Sequence, residues 1–252
     1  MKKKFLYVLV FILFLLFFLY FTFPFEKFIG NALCKRGVEY EEVDFKRIPP
    51  VVVINGLKYP SLPFVVDRVE IHPSLLSLLK PLKKFYIVAT WCGGSSIFDT
   101  TYPLQKLAFK VDGVNLPCLF KDKFKNVKGK LYGKGTLIFS RKGKLLTGGK
   151  GNFYTNDLRV SDLKFGIFTL PDVKVGKAEL SYVVKGKNYV ELKGKAEGKV
   201  NVKAEGFMRV NLKDFGRTYL SLNVKVVLKE GAFKNRPFSF RIAGYLSNLS
   251  VR

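Results

Sequence analysis

Few residues in this 252-residue sequence have the types and spacing that covalent or metal chemistry needs. The single His, His72, precedes Pro73, with no Cys or carboxylate cluster beside it in sequence. That position suits a turn or capping residue better than a general base. A lone His also makes a Ser-His-Asp triad or a His-built metal site a poor expectation. The stretch Gly143-Lys144-Leu145-Leu146-Thr147-Gly148-Gly149-Lys150 comes near a phosphate-binding loop. Its spacing is off by one residue, no Ser or Thr follows Lys150, and its surroundings read as strand and turn. Asn248-Leu249-Ser250 fits the glycosylation pattern, a motif short enough to arise by chance. The three Cys are Cys34, Cys92 and Cys118. In an oxidising compartment Cys92 and Cys118 can pair and leave Cys34 over. Three free thiols is an equal reading, because no spacing forces a bridge. The expectation is a non-enzymatic protein with no catalytic, cofactor-binding or metal-ligating residues.

Charge is the next functional signal. Lys and Arg number 44 against 19 Asp and Glu, a net +25, while 48% of residues are hydrophobic. That apolar fraction excludes a disordered polycation. Lys2–Lys4 carry +3, residues 24–120 another +3, and residues 121–252 carry +19. Single-strand nucleic-acid binders interleave a basic groove with aromatic platforms. Here the Lys alternate along apparent strands and mix with Glu191, Glu197 and Glu205. This reads as a solvated sheet face, with anionic lipid headgroups as a second partner and no nucleic acid.

The elements that would carry these residues begin with an anchor. Phe5 to Phe23 is 19 residues without a charge. As a helix it would span roughly 28 Å, near the hydrocarbon thickness of a bilayer. It ends in Phe21-Thr22-Phe23-Pro24-Phe25, not in the small residues of a cleavage site. Residues 1–25 are therefore expected to be an uncleaved signal anchor, with the transmembrane part at about 5–23. Lys2–Lys4 keep the N-terminus cytoplasmic by the positive-inside rule. Residues 26–252 would form a β-rich domain across the membrane, in the periplasm of a bacterium.

Glu26 to Arg36 has helical spacing, with Gly37 fit for a C-cap. Val38–Phe45, Val51–Ile54 (ending at Asn55-Gly56), Phe64–Ile71 and Phe85–Trp91 read as strands. Pro73–Leu79 reads as a short amphipathic helix, and Cys92–Ser96 as a turn or bulge. Turn signals then fall at Arg141–Gly143, Lys150–Asn152, Lys185–Asn188 and Glu230-Gly231. Across residues 189–212, ten of twelve odd positions are charged or amide, and all twelve even positions are apolar or Gly. Period 2 held this long predicts antiparallel strands. A single strand of that length would run roughly 80 Å, so a turn is expected near Glu197-Gly198 or Glu205-Gly206. The fold class expected is mainly β: an anchor helix, a short helix, then a twisted antiparallel sheet with one further short helix.

The apolar face has two readings. One is a packed core between sheets; the other is a groove for acyl chains, favoured by the Gly and Ala at 194–206. In the groove reading its face is Val190, Leu192, Val200, Val202, Met208, Val210 and Leu212.

Four segments in order resemble the protein N family of the type II secretion system (GspN). They are the anchor ending in FPFEKF (23–28), VEYEEVDFKRIPPVVVINGLKYP (38–60), VDRVEIHPSLLSLL (66–79) and the Gly-punctuated region 149–212. The resemblance implies an inner-membrane component of protein export, with a periplasmic β-domain and other secretion components as partners. The strand–PSLLSLL–strand element also looks like AsmA-type envelope proteins. That likeness implies a β-groove linked to lipid transport, with phospholipid or lipopolysaccharide as ligand.

Overall fold

The computed structural model describes residues 2–59, 64–78, 80–119, 127–141, 143–161, 163–165, 168–170, 173–229 and 236–251. Helices α1 (Lys2–Thr22) and α2 (Phe25–Cys34) lead into β1 (Glu42–Lys46), β2 (Val51–Leu57) and β3 (Val66–Pro73). A helical turn α3 (Leu75–Leu78) precedes β4 (Lys83–Trp91), β5 (Gly94–Tyr102) and β6 (Lys106–Asn115). A second turn, α4 (Leu116–Leu119), precedes β7 (Val127–Lys128), β8 (Lys130–Phe139) and β9 (Leu146–Val160). The hairpin β10 (Leu163–Phe165) and β11 (Phe168–Leu170) follows. The chain ends with β12 (Val173–Gly186), β13 (Tyr189–Glu197), β14 (Val200–Arg209), β15 (Tyr219–Leu228), β16 (Pro237–Tyr245) and β17 (Asn248–Val251).

All but β10 and β11 join one antiparallel sheet. Its path is β1-β2-β3-β4-β5-β6-β8-β9-β12-β13-β14-β15-β16-β17, with β7 added beside β9. The sheet is open, since β1 and β17 stand at opposite ends of that path. Directly opposed residues share a face. The register puts Phe45, Val52, Ile71, Ile87, Phe98 and Phe109 on one face. On the far side Leu180, Gly194, Ala204, Val224 and Phe240 continue it. One apolar face therefore runs across the whole sheet, as the alternation predicts.

The sheet curls about that face. Phe109 on β6 and Tyr182 on β12 have ring centroids 6.4 Å apart, although β8 and β9 lie between them. Flat strands would separate their backbones by roughly 14 Å. The Tyr182 hydroxyl donates to the Thr136 carbonyl on β8 at 3.1 Å, bridging over β9. Gly135 and Gly151 lie beneath the ring, and a Cβ on either would strike it.

Several expectations need correction. Lys150-Gly151-Asn152 is not a turn but the middle of β9, because Gly151 serves clearance for Tyr182. Asn55-Gly56 does not end β2, which continues to Leu57 with Gly56 at φ +61. The expected amphipathic helix at Pro73–Leu79 shrinks to one turn. Leu75 and Leu76 are exposed, and the buried side chain is Ser77. Its hydroxyl donates to the Ser74 carbonyl and accepts from the Lys84 amide at 2.8 Å, which anchors the turn to β4. Leu79 and Glu230-Gly231 lie outside the described residues.

Other turns fall where their residues predict. Cys92 and Gly93, both at positive φ, join β4 to β5, and Lys187-Asn188 does the same for β12 and β13. Of the two sites proposed for breaking the long alternation, the turn is at Gly198. Gly206 stays in β14, packed on the backbone of Ser221. The helix expected at Glu26–Arg36 is α2, and Gly37 follows at φ +71 with its amide bonded to the Cys34 carbonyl at 2.9 Å. Among the described residues no single helix is long and apolar enough to cross a membrane. Val10–Thr22 and Phe25–Cys34, bent by 57°, reach that length and composition together. The end of α1 and the start of α2 are tied to the sheet: the Tyr20 hydroxyl donates to the Arg47 carbonyl at 2.6 Å, and the Phe25 ring packs on Phe45 with centroids 4.4 Å apart.

Candidate apolar groove

The apolar face is packed at one end of the strands and hollow at the other. At the packed end the β8–β9 and β12–β13 turns bring large side chains together. Phe139, Leu146, Tyr182, Val184, Val190 and Leu192 are buried there as one cluster. Leu107, Met208, Val210 and Leu220 close around them. Asn188 adds a polar tie, its side-chain carbonyl accepting from the Leu146 amide at 2.6 Å.

At the other end the same strands carry small residues. A cavity of about 640 Å³ opens there over Ala178, Gly194, Ala196, Val200, Val202, Ala204, Val224 and Val226. Its side walls are Leu116 and Leu119 of α4, Val127 of β7, Leu158 and Val160 of β9, and Phe240 of β16. Such a volume lies within the usual range of small-molecule sites. Leu180 points the same way and stays exposed, as a residue on an unfilled apolar face must. The Thr155 hydroxyl also borders the cavity; it is buried and has no hydrogen-bond partner.

A disulfide holds one wall. Cys92, in the β4–β5 turn, is bonded to Cys118 of α4, with Cα atoms 5.5 Å apart. Two backbone bonds add to it: the Asn115 amide to the Cys92 carbonyl, and the Leu116 amide to the Gly129 carbonyl, both 3.0 Å. Cys34 is free and exposed.

The outer face of the same strands is ionic. Lys195, Lys203 and Lys225 stand directly opposite one another across β13, β14 and β15. Glu179 draws in Lys177 at 2.8 Å and Lys195 at 3.3 Å. The bond from Lys177, then that from Lys195, holds its carboxyl below the usual range. On β3 the hydrogen bond from Arg68 likewise lowers Glu70, which also meets His72 at 3.3 Å. His72 is thus a strand residue beside Glu70, and Gly143–Lys150 spans the β8–β9 turn into a strand with no helix after it. Among the described residues, no three His, Cys, Asp or Glu gather as a metal site.

The seven residues proposed for a groove face divide between the two ends. Val200 and Val202 line the cavity, and Val190 and Leu192 are buried in the packed cluster. Met208 and Val210 lie against that cluster, and Leu212 is exposed beyond the end of β14. Sequence reasoning missed Phe153, Ala178, Val224 and Phe240. All four are apolar residues at inward positions of separate strands, in register only once the pairing is known. No family model, curated protein or solved structure matches this chain.

Proposed function

We propose that this protein is a membrane-anchored, non-enzymatic lipid-binding protein of the bacterial envelope. Its β-domain holds acyl chains in the hollow end of the sheet. The observation that carries the reading is the cavity of about 640 Å³, lined mostly by Val, Leu, Ala and Gly, with Phe153, Tyr154, Thr155, Glu179, Lys195 and Phe240 also on its border. Filling an apolar hollow with hydrocarbon gains about 0.8 kcal/mol per methylene removed from water. The anchor would sit in the inner membrane with its N-terminus cytoplasmic and the sheet in the periplasm. Phospholipid or lipopolysaccharide would supply the chains. The test is photo-cross-linking of the full chain in host membranes fed a diazirine-bearing fatty acid. Adducts are expected on Ala178, Val202 and Val224. Adducts confined to α1 and α2 would show that the sheet does not hold lipid.

A second reading is a component of a type II secretion system that works through protein contacts. The two open edges of the sheet favour it, since β1 and β17 each offer a strand edge to a partner. Neighbouring genes for a secretin, a secretion ATPase and pseudopilins would support it; their absence leaves the lipid reading alone.

A further inference from the structure

We infer that the cavity is blind and that Phe153 is its stop, so that it takes one extended acyl tail, methyl end first, rather than passing lipid along the sheet. The inference rests on the acyl-binding reading above. Phe153 borders the cavity and belongs to the margin of both packed clusters of the sheet. Its ring stacks on Phe109 at 5.6 Å and 19°, and lies 6.3 Å from Tyr182. Tyr182 cannot swing aside without losing its bond to the Thr136 carbonyl. The rings also have no room to sink, because they rest on the bare backbone of Gly133, Gly135 and Gly151. Behind them Val184 and Leu192 are buried, which leaves no continuation of the hollow.

Ahead of the stop the space is long enough for a tail. From Val160 to Phe153 the strand covers roughly 24 Å, against about 15 Å for the hydrocarbon depth of one bilayer leaflet. A tail of that depth fits ahead of Phe153, and one of about 24 Å would meet the ring with its polar head at the Val160 end. Phe153 would select for chain length as the wall of any blind apolar pocket does. Each added methylene strengthens binding about fourfold until the chain end meets the ring, and further ones add nothing.

The test uses the full chain in membranes of cells fed fatty acids with a diazirine on the terminal carbon, in graded chain lengths. In the wild type, adducts should concentrate on Phe153, Leu131 and Leu180. Adduct yield should rise about fourfold per methylene and then level. In Phe153→Ala the adducts should move on to Tyr182 and Leu192, and the levelling should shift to longer chains. Ala178→Leu narrows the pocket ahead of the stop and should draw the adducts back to Val175 and Val200. It also serves if the Phe153 variant does not fold. Wild-type adducts already at Tyr182 or Leu192, or the same map in all three proteins, would overturn the stop while leaving acyl binding intact. No adduct on β12–β15 in any of them would remove acyl binding, and the stop with it.

Discussion

Two cross-strand rows of the same four strands differ by only a few residues along the chain, yet they have opposite fates. Val184, Val190, Met208 and Leu220 face one another across β12, β13, β14 and β15, and their row is packed shut. Ala178, Ala196, Val202 and Val226 face one another across the same strands, and their row floors a cavity. Backbone, pairing and polarity are alike in both. What differs is side-chain volume, and with it whether opposing walls of the curled sheet can meet. A single β-sheet can therefore be packed core at one end and hollow at the other.

Substitutions can break this contrast, and the largest effect is expected at the wall of the hollow end. The Cys92–Cys118 bond closes a loop across a sequence separation of 26. On the chain-entropy account it contributes about 3.5 kcal/mol. Cys118→Ser should lower the urea midpoint of the full chain accordingly, and dithiothreitol should do the same to the wild type but not to the variant. Next comes a matched pair of truncations. Leu146→Ala, in the packed end, should cost about 3 kcal/mol by transfer and cavity terms together. Val226→Ala, in a cavity that already exists, should cost about 1 kcal/mol or less. Equal costs in Trp91 fluorescence denaturation curves would erase the distinction between the ends.

Glycines sharpen the same contrast at smaller cost. A Cβ on Gly151 would strike the Tyr182 ring and the Gly135 backbone, so Gly151→Ala should destabilise by about 2 kcal/mol through overpacking. At Gly194 the nearest atoms to a new Cβ are 3.4–3.6 Å away, so Gly194→Ala should be neutral or stabilise by about 0.5 kcal/mol. A pH-dependent effect concerns Tyr182. Burial pushes its hydroxyl up to about 12, from an ordinary value of 10.0. A folded-state value raised in this way gives stability that is whole below pH 10 and is lost as pH climbs towards 12. Tyr182→Phe should cost about 1 kcal/mol at neutral pH for the lost hydrogen bond. The gap between wild type and variant should then narrow across that alkaline window. A gap that stays constant would mean the hydroxyl does not ionise later in the fold than in the unfolded chain.

The parts of this fold that depend on period were legible in the sequence. Strict alternation over residues 189–212 announces antiparallel strands and assigns each side chain to a face. The sharp turns at Lys187-Asn188 and Gly198 are equally plain. Glycine was harder to read, because it does two jobs. Gly198 sits in the bend between β13 and β14 and lets the backbone of Val175 approach, whereas Gly151 makes room for an aromatic ring that is distant in sequence. The site was half legible for a related reason. Alternation tells inward from outward but not which inward residues lie across from bulky ones. Val190 and Val200 look the same in sequence. Only the pairing sets Val190 beside Met208 and Val200 beside Leu228 at the rim of the cavity.

The strand order carries a last consequence. Almost every strand pairs with its neighbours in the chain, so the sheet is a meander from β1 to β17. No strand waits for a distant partner, and each hairpin adds to the last. Synthesis from the N-terminus would thus lay the sheet down in order, starting where β1 meets α2 and finishing with β16 and β17. Such an architecture can also gain or lose a hairpin at its far edge with little disturbance to the rest, as repeat arrays do. Its evolution is then a matter of length as much as of residue identity.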